Sequence, residues 1–204
     1  MEATRTTRLA ARSRAAELFL FASNFLRHPH MLGSIIPSSR FLVDAVLAPI
    51  DWSRAKLIVE YGPGVGTLTA EILRRMRADA KLMVMETNPQ FVRFMRQTLP
   101  DNRLRVEHGS AEDVGEMLAR HALPPANYVI SGIPLGSFPK SLQAGIAVAT
   151  RDALATDGEF HVYQFTARVL PLLQATFPVV TRAREVRNFP PAQLFVCRRG
   201  AAAD

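Results

Sequence analysis

The sequence predicts an α/β protein with a doubly wound sheet of seven mostly parallel strands. Short apolar segments alternate with amphipathic segments from residue 57 to residue 175, and strands that alternate with helices assemble into parallel sheets. Two more strand patterns follow around a Pro-Pro turn, so the last strand is expected to be antiparallel. With 204 residues, 48% of them apolar, the chain can bury a core without disulfides or a structural metal.

Local patterns predict the individual elements. Ser38 or Ser39 can cap a helix that runs to about Leu47. Strands are predicted at 57–61, 81–86, 103–107, 128–131, 159–163, 179–187 and 193–198. Helices are predicted between them, at 67–77, 89–98, 112–120, 140–155 and 167–175.

The N-terminal segment predicts an amphipathic helix, roughly Thr4–Phe25, ahead of the sheet. Apolar residues at alternating spacings of four and three form one face, and Arg5, Arg8 and Arg12 flank it. Two interpretations are open. The helix covers the core, or it lies in a membrane interface with its arginines on phosphates and Leu18, Phe19 and Phe25 in the acyl boundary. We therefore divide the chain into residues 1–50, facing membrane and substrate, and a core of residues 51–204.

Charge and cysteine content narrow the class of protein. The net charge is +7, and six arginines against two glutamates within residues 1–40 supply more than half of it. Such a surface suits phosphate, on nucleic acid or on lipid head groups. The single Cys197 excludes a disulfide framework and a multi-cysteine metal site, and the polar start carries no cleavable signal pattern. We expect a cytoplasmic protein that contains no metal.

A glycine-rich turn between the first strand and its helix carries the chemistry. Gly62, Gly64 and Gly66 let the backbone approach a ligand, and the helix start offers amide donors. Glu86 ends the second strand twenty residues later, where an acid can accept hydrogen bonds from both hydroxyls of a ribose. The combination predicts a nucleoside-containing cofactor; the alternative is a turn that is only structural.

These residues resemble the Rossmann-like class I S-adenosylmethionine-dependent methyltransferases. Glu60-x-Gly62-x-Gly64-x-Gly66 matches their first motif and Met85-Glu86-Thr87 their second. The resemblance implies that S-adenosylmethionine, converted to S-adenosylhomocysteine, lies with its methionine part on the glycine loop and its ribose on Glu86. Ser110 and Ala111 would bracket the adenine, although many members have Gly-Asp-Ala there, and Ser131 begins a fourth motif beside the transferable methyl.

The fourth motif discriminates between substrates. Ser131-Gly-Ile-Pro134-Leu135 has the serine and a proline of enzymes that methylate base amino groups. It lacks the aromatic ring that stacks on a flipped base. A nucleic-acid partner is therefore not favoured, and modification of RNA, as by rRNA adenine N-methyltransferases, is the alternative.

A closer resemblance is to the small bacterial phospholipid N-methyltransferases, which convert phosphatidylethanolamine to phosphatidylcholine. Residues 33–39, 131–139 and 187–195 carry it, the last with an Arg-Asn-x-Pro-Pro-Ala pattern. It implies a peripheral protein on the inner face of the cytoplasmic membrane that binds an anionic surface through its basic N-terminus. Another amino lipid, such as ornithine lipid, stays open, because the chemistry requires only the amine.

The substrate residues are expected where the last parallel strand ends, on the carboxyl edge of the sheet. Arg187 can hold a lipid phosphate in bidentate fashion, and Asn188 can offer a carbonyl to the amine. The alternative is that the Pro-Pro pair only shapes a hairpin. The candidate catalytic residues are Ser131, Tyr163 and Asn188, and the candidate substrate-binding residues are Ser38, Ser39, Pro134, Leu135, Arg187, Asn188 and Pro190. Tyr163, at the end of a strand, can accept or relay the amine proton, and the alternative is a buried core tyrosine.

Overall fold

A seven-stranded sheet flanked by helices organises residues 39–200, the part of the chain that the computed structural model describes. The strands are β1 (Leu57–Tyr61), β2 (Lys81–Glu86), β3 (Leu104–His108), β4 (Ala126–Ser131), β5 (Leu154–Gln164), β6 (Val179–Glu185) and β7 (Ala192–Arg198). The helices are α1 (Arg40–Leu47), α2 (Thr67–Arg75), α3 (Pro89–Thr98), α4 (Val114–Arg120), α5 (Lys140–Ala153) and α6 (Leu170–Thr176). Two short 3₁₀ helices, Ala111–Asp113 and Leu135–Ser137, follow β3 and β4.

The strand order is β3-β2-β1-β4-β5-β7-β6. Strands β1 to β5 pair in parallel, and β7 is antiparallel to both of its neighbours, so the predicted fold class is confirmed. The chain direction across the sheet reverses between β1 and β4, and open α/β sheets bind ligands outside the carboxyl ends of the strands at such a point. Because β6 runs parallel to β5, the turn after Glu185 emerges at this same edge, as predicted.

The core has two layers, one on each face of the sheet. All five residues of β1 are buried, with Val59 packed towards α4, α5 and α6 and Ile58 packed towards α1, α2 and α3. Strands covered on both faces read as continuous apolar runs rather than as alternating patterns. The short runs in the sequence therefore located the central strands well.

Several predicted boundaries shift by one to three residues, and two differences matter for the site. Strand β5 begins at Leu154, inside the predicted helix 140–155, because Leu154 pairs with Ala126 of β4. Helix α1, which falls within the predicted N-terminal division 1–50, packs in the core. Four of its eight residues, Leu42, Val43, Val46 and Leu47, are buried there.

Several predictions fall on residues outside 39–200. They are the helix Thr4–Phe25 with its membrane residues Arg5, Arg8, Arg12, Leu18, Phe19 and Phe25, and the substrate residue Ser38. Within residues 39–200, no helix has the length and apolar character needed to cross a bilayer. The same residues contain no group of three or more His, Cys, Asp or Glu side chains placed to hold a metal ion.

Candidate active site

The glycine loop after β1 has a backbone that residues with side chains rarely adopt. Gly62, Gly64 and Gly66 have φ values of 67°, 56° and 81°, all in the left-handed region. A Cβ on Gly62 would lie 2.6 Å from Cγ2 of Ile133, in the loop after β4. The three glycines are thus required for the turn itself and for its close approach to the neighbouring loop. Gly66 is also the N-cap of α2, whose first amides point to the carboxyl edge.

Glu86 joins the end of β2 to the glycine loop. Its side chain is buried, Oε1 accepts a hydrogen bond from the Asn88 amide at 2.9 Å, and Oε2 accepts one from the Gly64 amide at 3.2 Å. A carboxylate has about four acceptor positions, so both oxygens can accept further hydrogen bonds. The position and the remaining acceptor capacity suit the predicted bonds to ribose hydroxyls.

Glu60 lies below the loop rather than in its open part. Its buried carboxylate accepts a hydrogen bond from Oγ1 of Thr69 on α2 at 2.7 Å. Burial and, to a lesser degree, the nearby charge of Glu86 raise the pKa of Glu60 to about 8, although the Thr69 hydrogen bond opposes this rise. Glu60 is therefore largely protonated at neutral pH and supports the glycine loop from beneath.

A cavity at the carboxyl edge gathers the ends of the first three strands. Its lining includes five of the predicted cofactor residues, Gly62, Glu86, Thr87, Ser110 and Ala111. The remaining walls are Tyr61, Met85, Gly109, Ile133, Phe138, Leu142 and Ile146. Sequence reasoning gave no role to Leu142 and Ile146, although their i, i+4 spacing on α5 signals an apolar helix face. Together these residues form a slot with an acid at one side and apolar walls.

Ser110 stands where many members of the family that the sequence resembles have an aspartate. Its Oγ accepts a hydrogen bond from the Glu112 amide at 3.3 Å, while Asp113 accepts one from the Ser110 amide at 3.2 Å. The two bonds form a capping box at the 3₁₀ helix that follows β3. The hydroxyl therefore shapes the wall of the cavity.

The fourth motif meets Tyr163 at the end of β4. Ser131 is 0% exposed, and its Oγ has no hydrogen-bond partner among residues 39–200. A Cβ on Gly132 would lie 2.8 Å from Cζ of Tyr163 and closer still to its hydroxyl oxygen. The phenol thus lies directly against the Gly132 backbone. Ser131 pairs with Val162 and faces the other core layer, so the structure brings Tyr163 to the fourth motif at Gly132 and not at the serine hydroxyl.

Gln164 fixes this arrangement and was missed by sequence reasoning. Its Nε2 donates hydrogen bonds to the carbonyl oxygens of Ile133, at 2.7 Å, and Tyr163, at 2.9 Å. Its Oε1 accepts a longer bond from the Gly136 amide at 3.5 Å. The side chain therefore ties the fourth motif to the end of β5. A lone glutamine at a strand end carries no pattern that would have marked it.

Leu135, a predicted substrate residue, does not face the open site. Leu135 is fully buried and packs in the core layer beneath α4 to α6. The 3₁₀ helix Leu135–Ser137 turns its side chain inward, so only the partly exposed Pro134 of this pair can contact a ligand.

Asn188 organises the turn between β6 and β7. Its side chain is 3% exposed; Nδ2 donates to the Pro190 carbonyl and Oδ1 accepts from Oγ of Ser39, both at 2.7 Å. Ser39 Oγ also accepts from the Leu42 amide and so caps α1, as predicted. The structure thus joins two predicted substrate residues, but it places the Asn188 amide within the protein, which corresponds to a positioning role.

Arg187 lies on the surface of the same turn. Its side chain is 62% exposed, and its Nε and Nη2 donate to the two carboxylate oxygens of Glu185 at 3.0 and 2.8 Å. These bonds lower the pKa of Glu185 to about 2. The guanidinium also stacks 4.7 Å above the ring of Phe41. Arg187 is therefore held in place while still presenting positive charge to solvent.

Known proteins identify the class and then the family. The sheet order, the three-glycine turn and the strand-terminal acid define a class I S-adenosylmethionine-dependent methyltransferase fold. The structure resembles that of a putative O-methyltransferase from Klebsiella pneumoniae, with a TM-score of 0.62 at 14% identity over 87% of this chain and 89% of that one. It also resembles human N-acetylserotonin methyltransferase in complex with SAM, with a TM-score of 0.58 at 15% identity over 78% and 52% of the two chains.

The family follows from sequence. The chain is 33% identical over 190 residues to the ornithine lipid N-methyltransferase of Singulisphaera acidiphila, covering 89% of this chain and 96% of that protein. It belongs to the family of that protein, and the predicted assignment to the S-adenosylmethionine-dependent methyltransferases is confirmed. No protein-family model matches the chain.

Proposed function

We propose that this methyltransferase N-methylates the amine of an amino lipid at a membrane surface, with phosphatidylethanolamine and its mono- and dimethyl forms as substrates. The observation that carries the proposal is the Tyr163 phenol lying against Gly132 of the fourth motif, next to the Ile133 loop that walls the cofactor cavity. Ornithine lipid is the second candidate, favoured by the 33% identical relative.

The cavity fits S-adenosylmethionine, which when bound supplies an electrophilic methyl group. Glu86 has acceptor capacity for the ribose hydroxyls, and the positive-φ glycines keep side chains away from the rest of the molecule. The apolar walls Leu142, Ile146 and Phe138 suit the flat face of an adenine ring.

The chain then has to hold a neutral amine at the fourth motif. A primary ammonium has a pKa near 10.4, so neutrality at pH 7 costs about 4.6 kcal/mol, which burial in a site of low polarity can offset. Oγ of Ser131 is buried and has no hydrogen-bond partner among residues 39–200, so it can accept an amine hydrogen, which would orient the nitrogen lone pair. In this proposal the Tyr163 hydroxyl, which lies against the Gly132 backbone, takes up or relays the released proton. Positioning supplies the remaining advantage.

The anionic part of the head group has a partner at the terminal turn. A phosphate in phosphatidylethanolamine, or the carboxylate of an ornithine lipid, can pair with the exposed face of Arg187. Residues 5–25, with Arg5, Arg8 and Arg12, would add attraction to anionic lipids of the cytoplasmic leaflet, each worth about 1 kcal/mol near the surface. We therefore place the protein on the inner face of the cytoplasmic membrane.

The test is radiolabelled methyl transfer from S-adenosylmethionine to three substrates in parallel: phosphatidylethanolamine vesicles, ornithine lipid vesicles and total RNA. We expect the label in lipid, and the vesicle that is methylated faster identifies the preferred head group. Gly64→Arg is the inactive control, since a side chain at this positive-φ position blocks the cofactor loop. Label in RNA alone would contradict the lipid assignment. It would favour an enzyme that methylates RNA bases although its fourth motif lacks the aromatic ring.

A further inference from the structure

Apolar side chains are exposed in one region at the carboxyl edge of the sheet. Among residues 39–200 the large apolar side chains with substantial exposure are Phe41, Val148, Phe165, Val179, Val186 and Phe189. Four of these lie at the carboxyl edge: Phe41 in the first turn of α1, Phe165 directly after β5, and Val186 and Phe189 in the β6–β7 turn. We call them the edge patch. Phe189 is 90% exposed and Val186 69% exposed, at the tip of the β6–β7 turn. Exposed apolar groups that cluster mark a surface that binds something.

The tip projects from a fixed base. Asn188, between the two exposed residues, is buried and bonded to Ser39 and to the Pro190 carbonyl. Glu185, which precedes Val186, is buried and accepts the amide of Arg187 at 2.8 Å. Because neighbouring residues point inward and are hydrogen-bonded, the outward direction of Val186 and Phe189 is set by the fold.

Two arginines lie beside Phe41 in the edge patch. The guanidinium groups of Arg40 and Arg187 lie 5.6 and 4.7 Å from the centre of the Phe41 ring. The one acid bonded to Arg187 at this turn, Glu185, is buried beneath it. Outward-pointing apolar side chains with two arginines in the same patch match a membrane interface, where apolar groups enter the acyl boundary and guanidinium groups meet phosphates.

We propose that Val186 and Phe189 insert into an anionic bilayer and thereby direct the active site towards the lipid head groups. This inference rests on the proposed function, because it specifies the surface through which that lipid substrate is reached. Strand β7 lies between β6 and β5, and both β5, which carries Tyr163, and β6 end at the carboxyl edge, so the turn and the end of β5 share that edge with one strand between them. A head group beside the inserted tip would therefore lie at the edge where the fourth motif begins.

The first test measures vesicle binding of the full chain with the tip made polar. The variant is Val186→Ser with Phe189→Ser, and the vesicles contain equal parts phosphatidylglycerol and phosphatidylcholine, so that no methylatable amine is present. We expect the association constant to fall at least tenfold, about 1.4 kcal/mol. Val179→Ser is the control, because Val179 is also exposed, at 42%, but lies at the opposite end of β6, and it should bind like wild type. Wild-type binding by the tip variant would overturn the proposal and leave the patch as a contact for another protein.

The second test detects insertion directly. Phe189→Trp should be quenched by lipids brominated on the acyl chain beyond the quenching of Trp52, the one tryptophan of the wild-type chain. Val179→Trp should show no such increase. Equal quenching of the two variants would contradict insertion even if the serine variant were poorly folded.

A third measurement separates this inference from the proposed function. The tip variant should methylate a monomeric short-chain amino lipid at the wild-type rate while losing activity on vesicles. If the wild type methylates no lipid but Phe189→Trp is still quenched, the function fails and the membrane surface stands. If lipid is methylated and the tip variant matches wild type on vesicles, the membrane surface fails and the function stands.

Discussion

Replacing Gly132 by alanine tests the contact between the fourth motif and Tyr163. The added Cβ would lie 2.8 Å from Cζ of Tyr163, closer than carbon atoms pack, so the phenol or the loop must shift. Gly132 has no positive φ, so the damage would come from this contact and not from backbone strain. Overpacking of this kind costs about 1–3 kcal/mol. If all of that cost fell on the reactive geometry, kcat/KM would fall about 5- to 150-fold.

The assay is methyl transfer to lipid, with S-adenosylhomocysteine affinity and thermal unfolding measured on the same samples. We expect lower kcat/KM with cofactor affinity near wild type. Gly115→Ala is the matched control, because a Cβ there meets no atom within 4 Å and the position lies in α4, where alanine is favoured. Combining Gly132→Ala with Tyr163→Phe should give non-additive losses, because both changes act on one contact. Full activity of Gly132→Ala, or strictly additive losses, would refute the reasoning.

Three further predictions concern the supporting residues. Glu86→Ala should weaken S-adenosylhomocysteine binding by about 2–3 kcal/mol through loss of a charged hydrogen-bond acceptor, and unchanged affinity in calorimetry would remove Glu86 from the site. For Glu60, the folded pKa of about 8 exceeds the unfolded value of 4.5, so the folded state holds the proton and stability falls as pH rises between these values. Glu60→Gln should therefore unfold like wild type near pH 4.5 but be more stable at pH 8, by up to about 5 kcal/mol, and parallel pH profiles would contradict this. Asn188→Ala should cost about 1–3 kcal/mol of unfolding free energy, because Ser39 and the Pro190 carbonyl each lose a hydrogen-bond partner. It should also lower lipid methylation at least tenfold while cofactor affinity stays near wild type. A wild-type methylation rate would mean that the turn is only a hairpin.

The sequence by itself determined the order of strands and helices along the chain and five of the residues that line the cavity at the carboxyl edge. The glycine turn could be predicted because it requires a left-handed backbone at Gly62, Gly64 and Gly66, and all three have positive φ values. Glu86 could be predicted because the last residue of a parallel strand lies at the carboxyl edge, where α/β folds bind ligands, however the helices pack. The turn of Arg187 and Asn188 was placed at that edge for the same reason, from the direction of β6.

Only the tertiary structure decided which side chains meet across elements. Tyr163 reaches Gly132 because β4 and β5 pair in a particular register, and Asn188 reaches Ser39 across 149 residues because α1 packs beside the terminal turn. The inward rotation of Leu135 depends on one short 3₁₀ helix, and the raised pKa of Glu60 depends on complete burial beneath its loop. Local sequence carries propensity and strand direction, whereas register, burial and the partners of a polar group are set by the packing of segments distant in the chain.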